Sequence, residues 1–278
     1  MKECIGKVFS LDGRLEPCRD FSSYYHGGPG SIYEVVRVLD GIPMFLDDHL
    51  DRMEQSMRLT STLLPCSRNQ VTSIIGEVIA GNHMLNGNLK IVCQSVDTGR
   101  QLLIYVTEHQ YPGPEQYKAG IPAVLMRASR PLPNAKQSDP EFSEKTSRVR
   151  IRESVHEVLL VDAQACITEG SRSNVFFIRK GVVLTPPVDD VLPGITRKHV
   201  IECCRAKNIP LRETRIPEAD LKEMDAAFLS STSRRVLPVN RIGDQAFPPD
   251  HPVIREIQHA FNNLITVYLL HAKMAKLD

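Results

Sequence analysis

The stretch Arg130-Pro131-Leu132-Pro133-Asn134 constrains this chain more than any other. Each proline lacks an amide N–H and holds φ at about −65°, so two of them one residue apart continue neither a helix nor a central strand. Strand and helix patterns lie on both sides of the cluster, and the composition also shifts at Tyr111 to Pro114. The expectation is two lobes of mixed α and β structure: a smaller N-terminal domain over 1–122, a linker over 123–135 and a larger C-terminal domain over 136–278.

The elements follow from local pattern. Ile32 to Val38 is β-rich and runs into Asp40-Gly41, a hairpin turn, so Pro43 to Leu46 can return as the partner strand. Asp47 and Asp48 then open a helix with acids in its first turn, and Leu50, Met53 and Met57 give it an apolar stripe. Val71 to Ile79 predicts another helix, and 89–93 and 102–106 predict strands around a polar turn. Past the prolines, Asp139-Pro140 starts a helix to about His156. Strands are expected at 158–161, 175–178, 182–184 and 226–229, with helices over 196–206 and 253–273.

Composition excludes several function classes. A net charge of +1 gives no electrostatic case for nucleic acid or an anionic membrane. No apolar run approaches the ~20 residues that span a bilayer, and the first residues, Met1 to Lys7, lack an apolar core of signal-peptide length. The seven cysteines, an odd number, include no C-x-x-C pair and read as thiols of a reducing compartment, so the protein is expected in the cytoplasm without a metal site. Neither a P-loop nor a G-x-S-x-G elbow accompanies the glycines after His26.

Three features can carry chemistry. In "ITEGSRSNVFFI", Glu169 stands just before the apolar strand Val175 to Ile178. It is either part of a surface turn or a carboxylate set against a protonated heterocyclic nitrogen, a partner that keeps a pyridine ring able to accept electrons. Leu192 to Arg197 ends a loop and starts a helix, so its free N–H groups can cap an ordinary helix end or cradle a phosphate. Ser230-Ser231-Thr232-Ser233 is a second hydroxyl-rich turn, and Arg52 can offer a charged fork to the same anion. A reactive aldehyde would need an amine; Lys136 and Lys145 are both placed to give one, and the position of Lys136 directly after the prolines favours it.

The segments "SIYEVVRVLDGIPMFLDDHLDRM", "ITEGSRSNVFFIRKGVVLTPPVDDVLPGITRKHV" and "AAFLSSTSRRVLPV", in this order, resemble the class IV pyridoxal-phosphate enzymes. That family holds branched-chain aminotransferases, D-amino acid aminotransferases, aminodeoxychorismate lyases and some amine transaminases. The resemblance spans about residues 30–57 and 125–242. It implies a two-domain α+β fold of fold type IV, like that of D-amino acid aminotransferase, pyridoxal 5'-phosphate as cofactor, and a homodimer.

Residue by residue, the resemblance makes Lys136 the Schiff-base lysine and proton shuttle, and Glu169 the partner of the pyridine nitrogen. It makes Arg52, Ile195, Thr196, Ser231 and Thr232 phosphate ligands, and has Ser173 and Asn174 line or brace the same cavity. Tyr33, Val35 and Arg37 share one face of a strand by period-2 alternation; with Ser233 they would face the substrate. The implied reaction exchanges an amino group between an amino acid, branched-chain or similar, and a 2-oxo acid. The alternative is an aminodeoxychorismate lyase releasing pyruvate and 4-aminobenzoate. The sequence departs from the D-selective members at Cys93 to Asp97, where their Arg-x-His pair is absent, and in "NAKQSDPEF" after the lysine. Arg37 is then the candidate for the substrate carboxylate.

Overall fold

In the computed structural model, which describes residues 3–97 and 99–275, the chain divides into two units. The first is built from Met1–Gln110, Ala135–Pro140 and Val267–Asp278, the second from Tyr111–Asn134 and Glu141–Thr266.

The first unit holds β1 (Val8–Leu11), β2 (Arg14–Pro17), β3 (Ile32–Leu39), β4 (Ile42–Pro43), β5 (Gly87–Val96) and β6 (Gly99–Thr107). They form a six-stranded sheet in the order β2-β1-β6-β5-β3-β4, antiparallel throughout. Helices α1 (Leu46–Leu59) and α2 (Arg68–Gly81) pack on one face. The expected α1 stripe of Leu50, Met53 and Met57 is fully buried against Val36 and Ile91, each side chain contributing about 1.5–3 kcal/mol of burial. Ser67 and Gln70 close a capping box that starts α2 three residues earlier than its apolar pattern.

The strand expected over 43–46 is cut short. Phe45 sits at φ 51°, a left-handed conformation costly for an aromatic residue, and turns the chain straight from β4 into α1. Its ring packs on that of Tyr268, centroids 4.9 Å apart, which helps hold the turn.

The second unit carries a ten-stranded sheet. Its strands are β7 (Ile121–Arg127), β8 (Glu157–Val161), β9 (Cys166–Gly170), β10 (Asn174–Arg179), β11 (Val182–Thr185), β12 (Leu211–Glu213), β13 (Ile216–Pro217), β14 (Ala226–Ser231), β15 (Arg235–Ile242) and β16 (Gln245–Ala246). The order is β12-β11-β10-β14-β15-β7-β8-β9-β13, with β16 beside β15. The connecting helices are α3 (Pro114–Ala119), α4 (Pro140–Arg152), α5 (Ile195–Ala206) and α6 (Pro252–Met274); the division between the units falls inside α6.

The strands bear on two of the sequence readings. The proposed linker over 123–135 begins inside β7, which is paired on both sides, in parallel, with β15 and β8. The prolines come after β7, directly ahead of the change of unit at Asn134/Ala135. In addition, Thr168 and Glu169 belong to strand β9, not to a surface turn.

The short segment Ala135–Pro140 is assigned with the first unit although its neighbours on both sides belong to the second. It lies along the start of β3: Tyr33 N–H donates to the Lys136 carbonyl at 3.1 Å, and Ser138 N–H donates to the Ser31 carbonyl at 2.8 Å.

Candidate active site

In the first unit the site is organised by the alternation of β3. Ile32, Glu34, Val36 and Val38 point into the core, while Tyr33, Val35 and Arg37 stay half-buried on the other face, as their period-2 spacing predicts. The inward position 34 is an acid. Glu34 is 0% exposed, and both its oxygens are used. Arg52 Nε donates to Oε1 at 2.7 Å and Arg52 Nη2 to Oε2 at 2.6 Å. His49 Nδ1 meets Oε2 at 2.7 Å.

Burial alone would raise the Glu34 carboxyl, but the charge and hydrogen bonds of Arg52, with help from His49, hold it down at about 2. Burial also pushes His49 below the ordinary imidazole range, aided by the positive charges of Arg52 and Lys136 and against the pull of Glu34. Arg52 is therefore not a solvated surface arginine: its guanidinium is buried and oriented by a fork from the neighbouring strand.

One helical turn further along α1, the Ser56 hydroxyl donates to the Arg52 carbonyl at 2.9 Å and accepts from Lys136 N–H at 3.0 Å. Lys136 is thus held at both ends of its own backbone, and its ammonium lies 4.5 Å from the centroid of the Tyr33 ring. Lys145, the competing lysine, is exposed on α4.

A second cation shares this face of the sheet. Lys90 is registered opposite Val35, and its Nζ lies 5.3 Å from the Tyr33 centroid, 5.7 Å from that of Tyr25 and 5.9 Å from that of Tyr105. It also donates to Glu3 Oε1 at 2.6 Å. Burial opposes its charge, yet Glu3 and the tyrosines raise its pKa above the usual lysine value. Reading the sequence missed Lys90; the visible signal was a lysine at the half-buried register of an otherwise apolar strand.

The remaining predicted residues belong to the second unit. Glu169 is buried on β9; Arg130 Nε donates to its Oε1 at 2.8 Å and Leu192 N–H to its Oε2 at 3.1 Å. Arg130 also donates to the Ser171 carbonyl at 2.6 Å, which ties the Pro-rich stretch to this strand. The two donors fix the direction of the Glu169 carboxylate.

The serines after it serve a different acid. Ser171 Oγ and Ser173 Oγ donate to Glu157 at 2.5 and 2.9 Å, Val158 N–H adds a bond of 2.9 Å, and Arg234 Nη1 pairs with the same carboxylate. Glu157 is 0% exposed; burial would raise its pKa, and Arg234 with these donors brings it down to about 2. Ser173 therefore braces the turn through Glu157.

Asn174 Nδ2 donates to the Leu192 carbonyl at 2.9 Å, clamping the loop that leads to α5. At the end of that loop a Cβ on Gly194 would come within 2.0 Å of Asn174 Oδ1, so any larger residue would have to displace the Asn174 side chain. Ile195 and Thr196, both buried, form the first turn of α5, which has no side-chain cap. On β14, registered opposite Asn174, Ser230 is 1% exposed and its hydroxyl has no hydrogen-bond partner among the described residues. Ser231 Oγ accepts from Arg234 N–H at 3.3 Å, and Ser231, Thr232 and Ser233 are half-buried in the β14–β15 turn.

The structure thus brings Lys136, Arg52 and Tyr33 together through Glu34 and Ser56. Separately, Glu169 and Asn174 meet at Leu192, ahead of Ile195 and Thr196. Among the described residues no group of acids, histidines and cysteines is arranged to hold a metal, and no helix is long and apolar enough to cross a membrane.

Comparison with known proteins matches most of the chain. The family model described as amino-transferase class IV matches residues 31–242. The chain is 28% identical over 240 residues to a protein of Thermotoga maritima named a probable branched-chain-amino-acid aminotransferase, covering 84% of this chain and 85% of that one. It is 27% identical to the D-alanine aminotransferase of Bacillus licheniformis, covering 87% and 89%. The Escherichia coli branched-chain amino acid aminotransferase has a similar fold, with a TM-score of 0.83 at 22% identity over 94% of this chain and 95% of that one.

Proposed function

The chain belongs to the class IV aminotransferases, and from that premise we propose that it binds pyridoxal 5'-phosphate and moves an amino group between an aliphatic amino acid, branched-chain or similar, and a 2-oxo acid. Its relatives' names support the substrate class. When bound, the cofactor supplies an aldehyde that takes up amines and a protonated ring that accepts electrons from a substrate carbanion.

The residues present suit that group. The uncapped first turn of α5, the close-fitting Gly194 and the unpartnered Ser230 hydroxyl are what a phosphate cradle requires. In this reading Ile195, Thr196, Ser231, Thr232 and Arg52 would hold the phosphate, and the buried, oriented Glu169 carboxylate would accept the ring N–H. Asn174 and Ser173 act one step back, fixing the loop and the turn.

Lys136 supplies the amine that attaches the cofactor. With a substrate amine in its place, the Lys136 amine would be the base positioned to take the substrate's α-proton and hold it for return. Tyr33, Val35, Arg37 and Ser233 line the substrate side, with Arg37 on the carboxylate. The reading extends to a cytoplasmic homodimer; the family resemblance supports the dimer and seven free thiols support the compartment.

The observation that carries the reading is the grip on Lys136. A solvated lysine has no need of a backbone bonded to both a neighbouring strand and a buried helix hydroxyl. The test is the visible spectrum of the protein loaded with pyridoxal phosphate, before and after a panel of L- and D-amino acids. Loss of the band with one series, and its return with a 2-oxo acid, is the expected result and reports handedness. Pyruvate release without any 2-oxo acid would favour the lyase. Absence of a lysine-linked band would overturn the assignment.

A further inference from the structure

We propose that Ser56 is a positioning residue for Lys136: its hydroxyl sets the backbone from which the reactive amine projects. The inference rests on the reading of Lys136 as the cofactor-attaching lysine.

Ser56 lies within α1, one turn before its C-terminal end, and is 0% exposed. Serine is a poor choice there. In a helix interior its hydroxyl bonds back to the carbonyl one turn earlier, which competes with the helix, and alanine would serve the helix better. The back-bond is present, to the Arg52 carbonyl at 2.9 Å. A hydroxyl has one proton and two lone pairs, so with its proton given to Arg52 it can only accept from a second partner. That partner is Lys136 N–H, at 3.0 Å and 80 residues away in sequence.

The hydroxyl thus converts the position of α1 into a position for Lys136. Tyr33 N–H fixes the other end of the residue by bonding its carbonyl, and the Tyr33 ring faces the ammonium. Arg52, the proposed phosphate ligand, and Lys136 are referenced to the same hydroxyl, one through its carbonyl and the other through its amide.

The neighbouring Thr60 provides a control. Its hydroxyl also bonds back along α1, to the Ser56 carbonyl at 2.9 Å, and its hydrogen bonds go to Ser56, Met57 and Thr62. Thr60→Val therefore loses a comparable helix hydroxyl while leaving the Lys136 amide bonded.

Borohydride reduction of the protein loaded with pyridoxal phosphate, followed by peptide mass mapping, first locates the attachment. An adduct on any lysine other than Lys136 overturns the functional reading and this inference with it. With the adduct on Lys136, the rate at which the apoprotein takes up pyridoxal phosphate into its visible band is compared across variants. Ser56→Ala is expected to be about tenfold slower, as follows from loss of one backbone hydrogen bond and a loosened reactive group. Thr60→Val should match wild type, and Ser56→Thr, which keeps the hydroxyl, should recover most of the rate. Equal rates for Ser56→Ala and wild type overturn the inference while leaving Lys136 in place. Should Ser56→Ala not fold, amide hydrogen exchange on the unmodified protein decides: Lys136 N–H is expected to be protected, and exchange at the solvent rate refutes the bond.

Discussion

Glu34→Gln is the perturbation whose size the structure fixes best. The substitution keeps the side-chain volume, removes the charge and turns one acceptor into a donor that must face an Arg52 N–H in either orientation. Three charge-assisted bonds of 2.6–2.7 Å are affected at a residue that is 0% exposed. The carboxyl is held at about 2 against an ordinary value of 4.5. By linkage, a difference of that size is worth on the order of 3 kcal/mol of stability. The cost of stranding a buried charge by removing its partner falls in the same range, about 3–5 kcal/mol.

The sign is set by the depressed pKa. The contribution is complete above the unfolded value of 4.5 and is lost as pH falls toward 2. Urea unfolding should therefore show Glu34→Gln destabilised by about 3 kcal/mol at neutral pH, with the gap to wild type closing as the pH is lowered through that window. A loss below about 1 kcal/mol at neutral pH together with an unchanged acid dependence would refute the reasoning, because a fully desolvated ion pair cannot be that indifferent to its charge.

Further outcomes follow from the second unit and from the lysine. Glu157→Gln leaves Arg234 facing a neutral side chain and should cost on the order of 3 kcal/mol in denaturant titration, with part recovered by adding Arg234→Met. Gly194→Ala forces Asn174 out of its bond to Leu192 and should lower stability by about 1–3 kcal/mol and weaken pyridoxal phosphate binding in an absorbance titration. Lys136→Ala keeps the backbone bonds to Ser56 and Tyr33, so the melting temperature should stay close to wild type while borohydride no longer traps any cofactor.

Much of this was legible in local pattern. The alternation of β3, the α1 stripe and the start of α5 are short-range signals, and the structure has them in place. What escaped depends on partners distant in sequence. Glu34 sits at a register where alternation predicts an apolar residue, and its reason, Arg52, lies on the next helix. Arg130 looks like part of a proline-rich connection until β9 brings Glu169 to it. The attachment of residues 136–138 to β3 is made by main-chain bonds, which leave no mark on residue type. β7 was hidden because its strand character comes from parallel neighbours on both sides.

The threading of the chain also limits how such a protein can be recombined. It passes from one unit to the other at 110/111, 134/135, 140/141 and 266/267. A fragment ending at Gln110 would leave the Ser31 carbonyl and the Tyr33 amide at the start of β3 without the Lys136 segment that bonds them. A chimaera joined at a single breakpoint would pair a β3 from one parent with a lysine segment from the other. On the proposed reading, in which Tyr33, Val35 and Arg37 line the substrate side, point substitution on that face would leave these main-chain bonds intact where shuffling whole domains would not.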